Sequence, residues 1–498
     1  MNVTGVGVRS SLMVQTLGEM RTQLGDLQRQ LGTGKKSTTY AGLGIDRGLA
    51  VGLRGKLSAI AGYGNTITQL GVRINLASTA LGRIADLRSD VKAAATSKQF
   101  VLDASGQSAT QRAAASQLDE ILGLLNTPAG DRYLFSGRAA DKPATETLDH
   151  ILNGDAGRAG FKQVMAERNQ ADLGADGLGR LVIPAASGTQ VSISEETPPT
   201  VFGLKLASVS GLNNATVTGP TGSPASVTVD VTANPNPGDA ITFSFTLPDG
   251  TSDKITLTAT ASTPPAEGEF TIGTLPGQTA NNLQAALSTA VGKLAATSGA
   301  AASAMAAAHN FFDVGAGQPP MRVSGSPFTA TSLVAGTASD TVTWYTGEMG
   351  TDPARGTATA KVDDALSVSY GVRANEVGIR STIENIAVYA AMSFSPSDPN
   401  AQARFTEMSD RVGSGLAGTN GQQSLQDIQA ELAFAQTTMK DAGERQSERK
   451  MMLEDLLQGI EQAPQEEVAA QILALQTRLQ ASLQTTAMLY QMSIVQYL

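Results

Sequence analysis

"QLGTGKKSTTYAGLGIDRG", residues 30–48, decides how the chain is read. It holds a glycine–lysine–serine cluster of the kind that cradles phosphate, and a glycine pair of the kind found in dinucleotide folds. A phosphate loop requires Gly-x-x-x-x-Gly-Lys-Ser/Thr after a strand, so that its amides wrap the anion. Here Gly34 and Lys35 are followed by Lys36, and Arg29 stands where the first glycine belongs. Gly42-Leu43-Gly44-Ile45-Asp46-Arg47-Gly48 is one residue out of step with the dinucleotide fingerprint, again without a preceding strand. The stretch reads instead as a joint: Gly32 and Gly34 end one helix, and Asp46 is placed to cap the next.

Periodicity on both sides supports that reading. Upstream, Met13, Leu17, Met20, Leu24, Leu27 and Leu31 are spaced 4, 3, 4, 3 and 4, a single apolar seam in coiled-coil register. Downstream, Ile60, Tyr63, Ile67, Leu70, Ile74, Ala77, Leu81 and Ile84 alternate steps of 3 and 4. They predict a helix from about residue 46 past Val91, roughly 65 Å long at about 1.5 Å per residue. A third helix is predicted around 107–126, carrying Leu118, Ile121, Leu122 and Leu125, with Pro128 just beyond.

The far end mirrors the near one. Leu425, Ile428, Leu432, Ala435, Met439 and Ala442 again alternate 3 and 4. After Pro464, which suits a first helical turn, Val468, Ile472, Leu475, Leu479 and Leu483 form a second stripe, and Glu466 and Glu467 complement its dipole. The middle differs. Residues 186–280 are rich in Thr, Ser, Val, Gly and Pro; "SVTVDVTA" alternates as a strand, and "AITFSFTLPDGTSDKITLTAT" reads as a hairpin turning at Pro248-Asp249-Gly250. An alanine-rich helix is predicted near 279–308.

The predicted fold is mainly α with an inserted β-containing domain: long antiparallel N- and C-terminal helices, coiled-coil-like, with a variable outer domain between them. The expected divisions are 1–34 plus 460–498 as an inner terminal-helix layer, 45–200 plus 345–455 as a helical core, and 205–340 as the insert. Each terminal stripe needs a partner to be buried. Leu17, Leu24, Leu27 and Leu31 are therefore expected to pair with Ile472, Leu475, Leu479 and Leu483. Ile60, Ile67, Ile74 and Leu81 are expected to pack on Leu425, Ile428 and Leu432.

Composition narrows the function classes. Among 498 residues, aromatics are 4% and Trp344 is the only tryptophan, unlike an enzyme with an aromatic-lined pocket. A net charge of −9 without any run of Lys or Arg argues against nucleic acid as a partner. The absence of cysteine excludes disulfides, thiolate metal sites and Cys nucleophiles. His150 and His309 are too far apart in sequence to suggest a zinc site. Asp363-Asp364 and Glu466-Glu467 are adjacent carboxylates and read as exposed charges, and no Gly-x-Ser-x-Gly surrounds a candidate nucleophile. In "RANEVGIRSTIENI", residues 373–386, the charged residues suit intrahelical pairing or contacts between subunits. No catalytic residue, cofactor or metal is expected. The opening residues lack a basic start and a continuous apolar core, so no cleaved signal peptide is expected. No run of 18 apolar residues predicts membrane insertion.

"LQRQLGTGKKSTTYAGLGIDRGLAVGLRGKL" (27–57) resembles the early segment of bacterial flagellins and their hook-associated relatives, where a terminal helix ends in Leu-x-x-Gly-Lys/Arg before a Gly/Ala/Asp-rich joint. "GDRYLFSGR" (130–138) resembles the family's Tyr/Phe-Leu-Phe-Ser/Ala-Gly motif, and "VSYGVRANEVGIR" (368–380) the return into its C-terminal block. The resemblance covers roughly 1–140 and 345–498; Thr38, Thr39 and Tyr40 stand where the family's joint carries a Ser-x-x-Asp-Asp pair. It implies an extracellular structural subunit of the bacterial flagellum, secreted unfolded by the flagellar type III export apparatus without a cleaved signal, with a chaperone. The implied partners are further copies of itself in a ring or helical assembly, a neighbouring hook-associated protein and flagellin. The "LYQMSIVQYL" ending and "DRYLFSG" resemble a hook–filament junction subunit; a filament-forming subunit is the alternative, and a surface adhesin carried by the insert a third.

Overall fold

The computed structural model describes residues 4–155, 157–418 and 421–495, with side chains from 11 to 488. Proline-free stretches rich in Ala, Leu, Gln and Arg propagate helix over long distances. The helices are α1 (Thr4–Thr33), α2 (Arg47–Thr96), α3 (Ala109–Leu125), α4 (Leu148–Asn153), α5 (Phe161–Leu173), α6 (Pro276–Leu294), α7 (Ala300–Phe312), α8 (Val377–Ala391), α9 (Ala401–Gly415), α10 (Leu425–Glu461) and α11 (Gln465–Val495). The fold is mixed α/β, about 53% helical with several small sheets.

The chain divides into two compact units. One takes the described residues up to Gln69, Lys361–Ser367, and those from Thr437 onward; the other takes Leu70–Ala360 and Val368–Gln436. The first is built from both chain ends and is helical apart from the joint and the short 361–367 segment. The second holds the sheets.

Two-residue strands β1 (Pro128–Ala129) and β2 (Arg132–Tyr133) pair antiparallel beside α3. The strand-rich part of the second unit comprises β3 (Leu181–Val182), β4 (Gln190–Glu195), β5 (Lys205–Ser210), β6 (Thr216–Thr221), β7 (Ser226–Asp230), β8 (Ala240–Thr246), β9 (Ser252–Thr260) and β10 (Glu269–Thr271). They form two four-stranded sheets, in the orders β3-β4-β7-β6 and β10-β9-β8-β5. The expected hairpin is β8–β9, with Phe243 opposite Ile255 and Ile241 opposite Leu257. Its alternation is strict because one face is dry: Ile241, Phe243 and Phe245 are fully buried, while Thr242 and Thr256 on the other face share a hydrogen bond of 2.9 Å. Gly250 closes the turn at φ 82°, where a side chain would be strained, and the Asp249 carboxylate accepts from the Thr251 amide at 3.0 Å.

The apolar core of this part reaches back before residue 205. Leu181, Val191 and Ile193 join Val227, Val229, Phe243, Leu257 and the buried face of α6 in one apolar cluster, so the strand-rich body begins near 181. Its helical end differs from the expected one. A π-turn over Ala295–Gly299 divides the expected single alanine-rich helix into α6 and α7. Beyond the turn, Phe311 and Phe312 of α7 pack on Phe161 of α5, and Phe312 on Trp344. The indole Nε1 donates to the Phe312 carbonyl at 2.8 Å, which satisfies its one polar atom in a fully buried site. Small alanines on α7 let its neighbours approach closely enough for these rings to meet.

Phe243→Ala should cost about 3–5 kcal/mol in urea unfolding, because it empties a buried ring site between the sheets and α6. Thr242→Ala, on the opposite face of the same strand, should cost less than about 1 kcal/mol.

Candidate assembly surfaces

The joint is a helix break with a built clasp. α1 ends at Thr33, and Gly34 follows at φ 67° with its amide bonded to the Gln30 carbonyl at 2.8 Å, a left-handed C-terminal cap. The segment then docks on the α10–α11 turn: the Lys36 amide donates to the Glu461 carbonyl at 2.8 Å, the Ala463 amide to the Gly34 carbonyl at 2.9 Å, and Lys36 Nζ to the Gly459 carbonyl at 3.1 Å. Arg54 grips Glu461 through Nε at 3.0 Å and Nη2 at 2.7 Å, and lies over the Tyr40 ring. Asp46 stands immediately before α2 but makes no capping hydrogen bond among the described residues, so the expected cap does not form. Pro464 sits one position outside α11, its carbonyl accepting from Val468 at 2.9 Å.

The α1 and α11 stripes are partly covered. Leu24 and Leu27, both half-buried, pack on Ala463, Val468 and Ile472. Thr486 Oγ1 donates to Met13 Sδ at 3.6 Å. Ile472 and Leu475 are 9% and 8% exposed. Leu17 and Leu479 are half-buried, while Leu31 and Leu483 are exposed at 40% and 43%.

Along α2 and α10 the expected residues are buried in part, with a different register. Ile74, Leu81, Leu425, Ile428 and Leu432 are at most 1% exposed, whereas Ile60 and Ile67 are only half-buried. In the strand-bearing unit, Gln436 Nε2 donates to Asn75 Oδ1 at 2.8 Å, and a Cβ on Gly82 would lie 3.8 Å from Gln429. In the terminal unit, a Cβ on Gly443 would meet Ile67 at 3.9 Å. Within the strand-bearing unit, Asn75 therefore faces Gln436 and Gly82 faces Gln429. Gly82, next to Leu81, lies level with Gln429 in the Leu425–Leu432 stretch, while Ile67 faces Gly443. The reason is length: residues 60–81 rise about 32 Å, and 425–432 only about 10 Å.

The largest surprise lies off the seams. Leu12, Val14, Ile45, Leu49, Val51, Met451, Met452, Leu456, Leu473 and Met488 of the terminal unit are 50–99% exposed, while the larger unit exposes Val72, Val101, Val201, Leu275 and Phe434 to a similar degree. Ile45 is 99% exposed on a segment that the Arg54–Glu461 clasp holds in place. These residues break the 3–4 spacing (Val14 beside Met13, Met452 beside Leu453), which is why a search for one stripe passes over them. That departure from period was the available signal.

The two motifs of the second unit, 130–138 and 368–380, lie side by side. The Gly137 amide donates to the Val372 carbonyl at 3.3 Å, and the Ala374 amide to the fully buried Phe135 at 2.8 Å. Arg138 binds Glu348 at 2.6 Å and Asp352 at 2.7 Å. At the start of α8, a cleft of about 580 Å³ is lined by Arg355, Arg373, Glu376, Arg380 and Glu431; Arg355 pairs with Glu376 and Glu431, Arg380 with Asp313, and Arg373 donates to the Gly350 and Asp352 carbonyls at 2.6 and 2.8 Å. The one intrahelical pair in this stretch is Arg380–Glu384, at 3.3 Å. Burial pushes the Glu384 carboxyl up to about 7, with Asp313 adding to the shift and Arg380 opposing it.

The remaining polar candidates serve packing. Tyr63 donates to Asp364 at 2.9 Å and Arg449 reaches Asp363 at 3.3 Å, while Glu466 and Glu467 occupy the first turn of α11. His150 contacts Glu146 at 3.2 Å, and His309 contacts Asp313 at 3.6 Å. Among the described residues, no three potential metal ligands cluster, and no helix is long and apolar enough to cross a membrane. No protein-family model matches the chain, and no curated protein is significantly similar to it.

Glu384 makes stability depend on pH. Its folded carboxyl holds a proton more tightly than the unfolded one, so the stability it contributes is full below about pH 4.5 and is lost as pH rises through about 7. Glu384→Gln should narrow the difference in urea stability between pH 5 and pH 8 relative to the parent, and should be the more stable protein at pH 8 by about 1–3 kcal/mol.

Proposed function

We propose that the chain is a secreted structural subunit of the flagellin and hook-associated kind, which assembles through its terminal helices at the junction between hook and filament. One observation carries the reading: the unit made from both chain ends, much the smaller of the two, is the more densely covered with exposed large apolar side chains, Leu12, Val14, Ile45, Leu473 and Met488 among them, whereas those of the larger unit, such as Val101, Leu275 and Phe434, are more thinly spread along its sequence. A surface so apolar is a binding surface. The contacts between the ends support an antiparallel, coiled-coil-like pair. Met13 meets Thr486, Leu24 and Leu27 meet Val468 and Ile472, and Lys35 bridges Gln462, so later positions on one helix face earlier ones on the other. The resemblance of residues 27–57, 130–138 and 368–380 supplies the flagellar assignment. The size of the strand-rich body from Leu181 to Leu294 favours a second role, a filament-forming subunit displaying that body outward.

Deleting the gene in its host and imaging the cells by electron microscopy separates the roles. Hooks without filaments, with filament protein shed into the medium, are expected for the junction role. Hooks that keep their junction but lack a filament would indicate the filament role, and unchanged flagella would overturn both. In the purified protein, Leu24→Asp and Leu475→Asp should abolish sedimentable assemblies, because each places a charge in the seam, while the strand-rich unfolding transition stays unchanged. Leu473→Ser, at a 65% exposed position, should weaken assembly while moving the urea midpoint by the equivalent of less than about 0.5 kcal/mol.

A further inference from the structure

The two motifs that lie side by side also line a small cleft against α2. Arg132 and Tyr133 come from the first motif, Tyr370 from the second, and Arg73 from α2, with Gly137 and Gly371 also in the lining. Two arginines line it and no acidic residue does, in a chain whose net charge is −9. Arg132 is exposed, and Arg73, Tyr133 and Tyr370 are half-buried. None of these four side chains has a hydrogen-bond or ion-pair partner among the described residues. Glu348, the carboxylate behind Gly137, is already held by Arg138 through Nη1 at 2.6 Å and the main-chain amide at 2.8 Å.

Size selects the ligand. The enclosed space is about 30 Å³. That is room for about two water molecules and too little for a sugar or a nucleotide. It suits the tip of an aspartate or glutamate side chain, which an arginine fork binds in two-point geometry while the phenol hydroxyls donate to its other lone pairs.

Resting on the assembly reading above, we infer that this cleft receives acidic side chains from a second copy of the chain, namely Asp86 and Asp90 of α2. Both are exposed, one helical turn apart on one face, and neither forms an ion pair among the described residues. Their neighbour Arg83 is hydrogen-bonded to Glu120, at 2.7 and 3.2 Å, and attracts both carboxylates from a distance without pairing with either. Cleft and acidic face lie on the same helix, separated by roughly 20–26 Å along its axis. A contact between two different patches repeats in one direction, and so builds a ring or a helical row of subunits.

The test uses the full chain and sedimentation equilibrium at low and high salt, with folding checked by circular dichroism. The unmodified chain should associate, more weakly in 0.5 M NaCl than at low salt. Arg73→Glu with Arg132→Glu, and separately Asp86→Lys with Asp90→Lys, should each lower the association constant at least tenfold, and the four changes combined should restore it to within about threefold. Because the chain has no cysteine, Arg132→Cys mixed with Asp90→Cys should be joined into a dimer by a short bis-maleimide linker, which spans the distance an arginine and an aspartate bridge where a disulfide cannot, and this carries the test where a charge reversal fails to fold. Association unaffected by either reversal, loss with only one of the two reversals, or no crosslink would overturn the pairing and leave the assembly reading intact. A parent chain that stays monomeric under all conditions would overturn both.

Discussion

A helix that is apolar along one narrow stripe can bury that stripe against a single neighbour, and the rest of its apolar side chains must find water or another molecule. The terminal unit is built under that constraint. α1 and α11 cover Leu24, Leu27, Val468 and Ile472 between them, while Leu12, Val14, Leu473 and Met488 stay exposed. Burying such a side chain fully is worth about 1.5–3 kcal/mol. A handful from each of two copies is enough to offset the roughly 4–15 kcal/mol that association costs in lost freedom. The joint then fixes where those residues are presented. Lys36, Arg54 and Glu461 tie residues 36–54 to the turn between α10 and α11, so Ile45 is held out on an anchored segment.

The second unit follows the opposite design. Its sheets and α6 enclose a dry core, and its aromatic side chains meet one another at Phe161, Phe312 and Trp344. Most of its charges are paired internally, as Arg355, Glu376, Arg380 and Asp313 are. The arginines and tyrosines around the cleft at Arg73 and Arg132 stand out against that background because they are left unpaired. Binding surface is therefore offered by both units, apolar and dense on the terminal one, charged and local on the other.

Much of this was legible in the chain. The seams through Leu24 and Ile74, the break at Gly34 and the β8–β9 hairpin follow from local periodicity and turn chemistry, which act within a few residues. What was not legible depends on distant partners. Whether strand β4 belongs with β7 rather than with the helices is decided by Val191 opposite Val229, a pairing that no local pattern encodes. The π-turn at Ala295–Gly299 lies in a run of small residues equally compatible with an unbroken helix. The register of α2 on α10 depends on which side chains interlock, and two equally regular stripes permit several offsets. The exposed residues off the seams could be seen in the letters, but only the fold shows that they face outward.

The central claim is that the terminal helices are under-buried in the single chain and complete their burial against further copies. Hydrogen exchange of the α1 and α11 amides, compared between the soluble chain and the sedimented assembly, tests it most directly. The account predicts fast exchange over residues 4–33 and 465–495 in the soluble chain and strong protection after assembly, with the amides of β8 and β9 protected in both. Equal, high protection of α1 and α11 in both states would contradict it, because helices already complete within one chain have no burial left to gain.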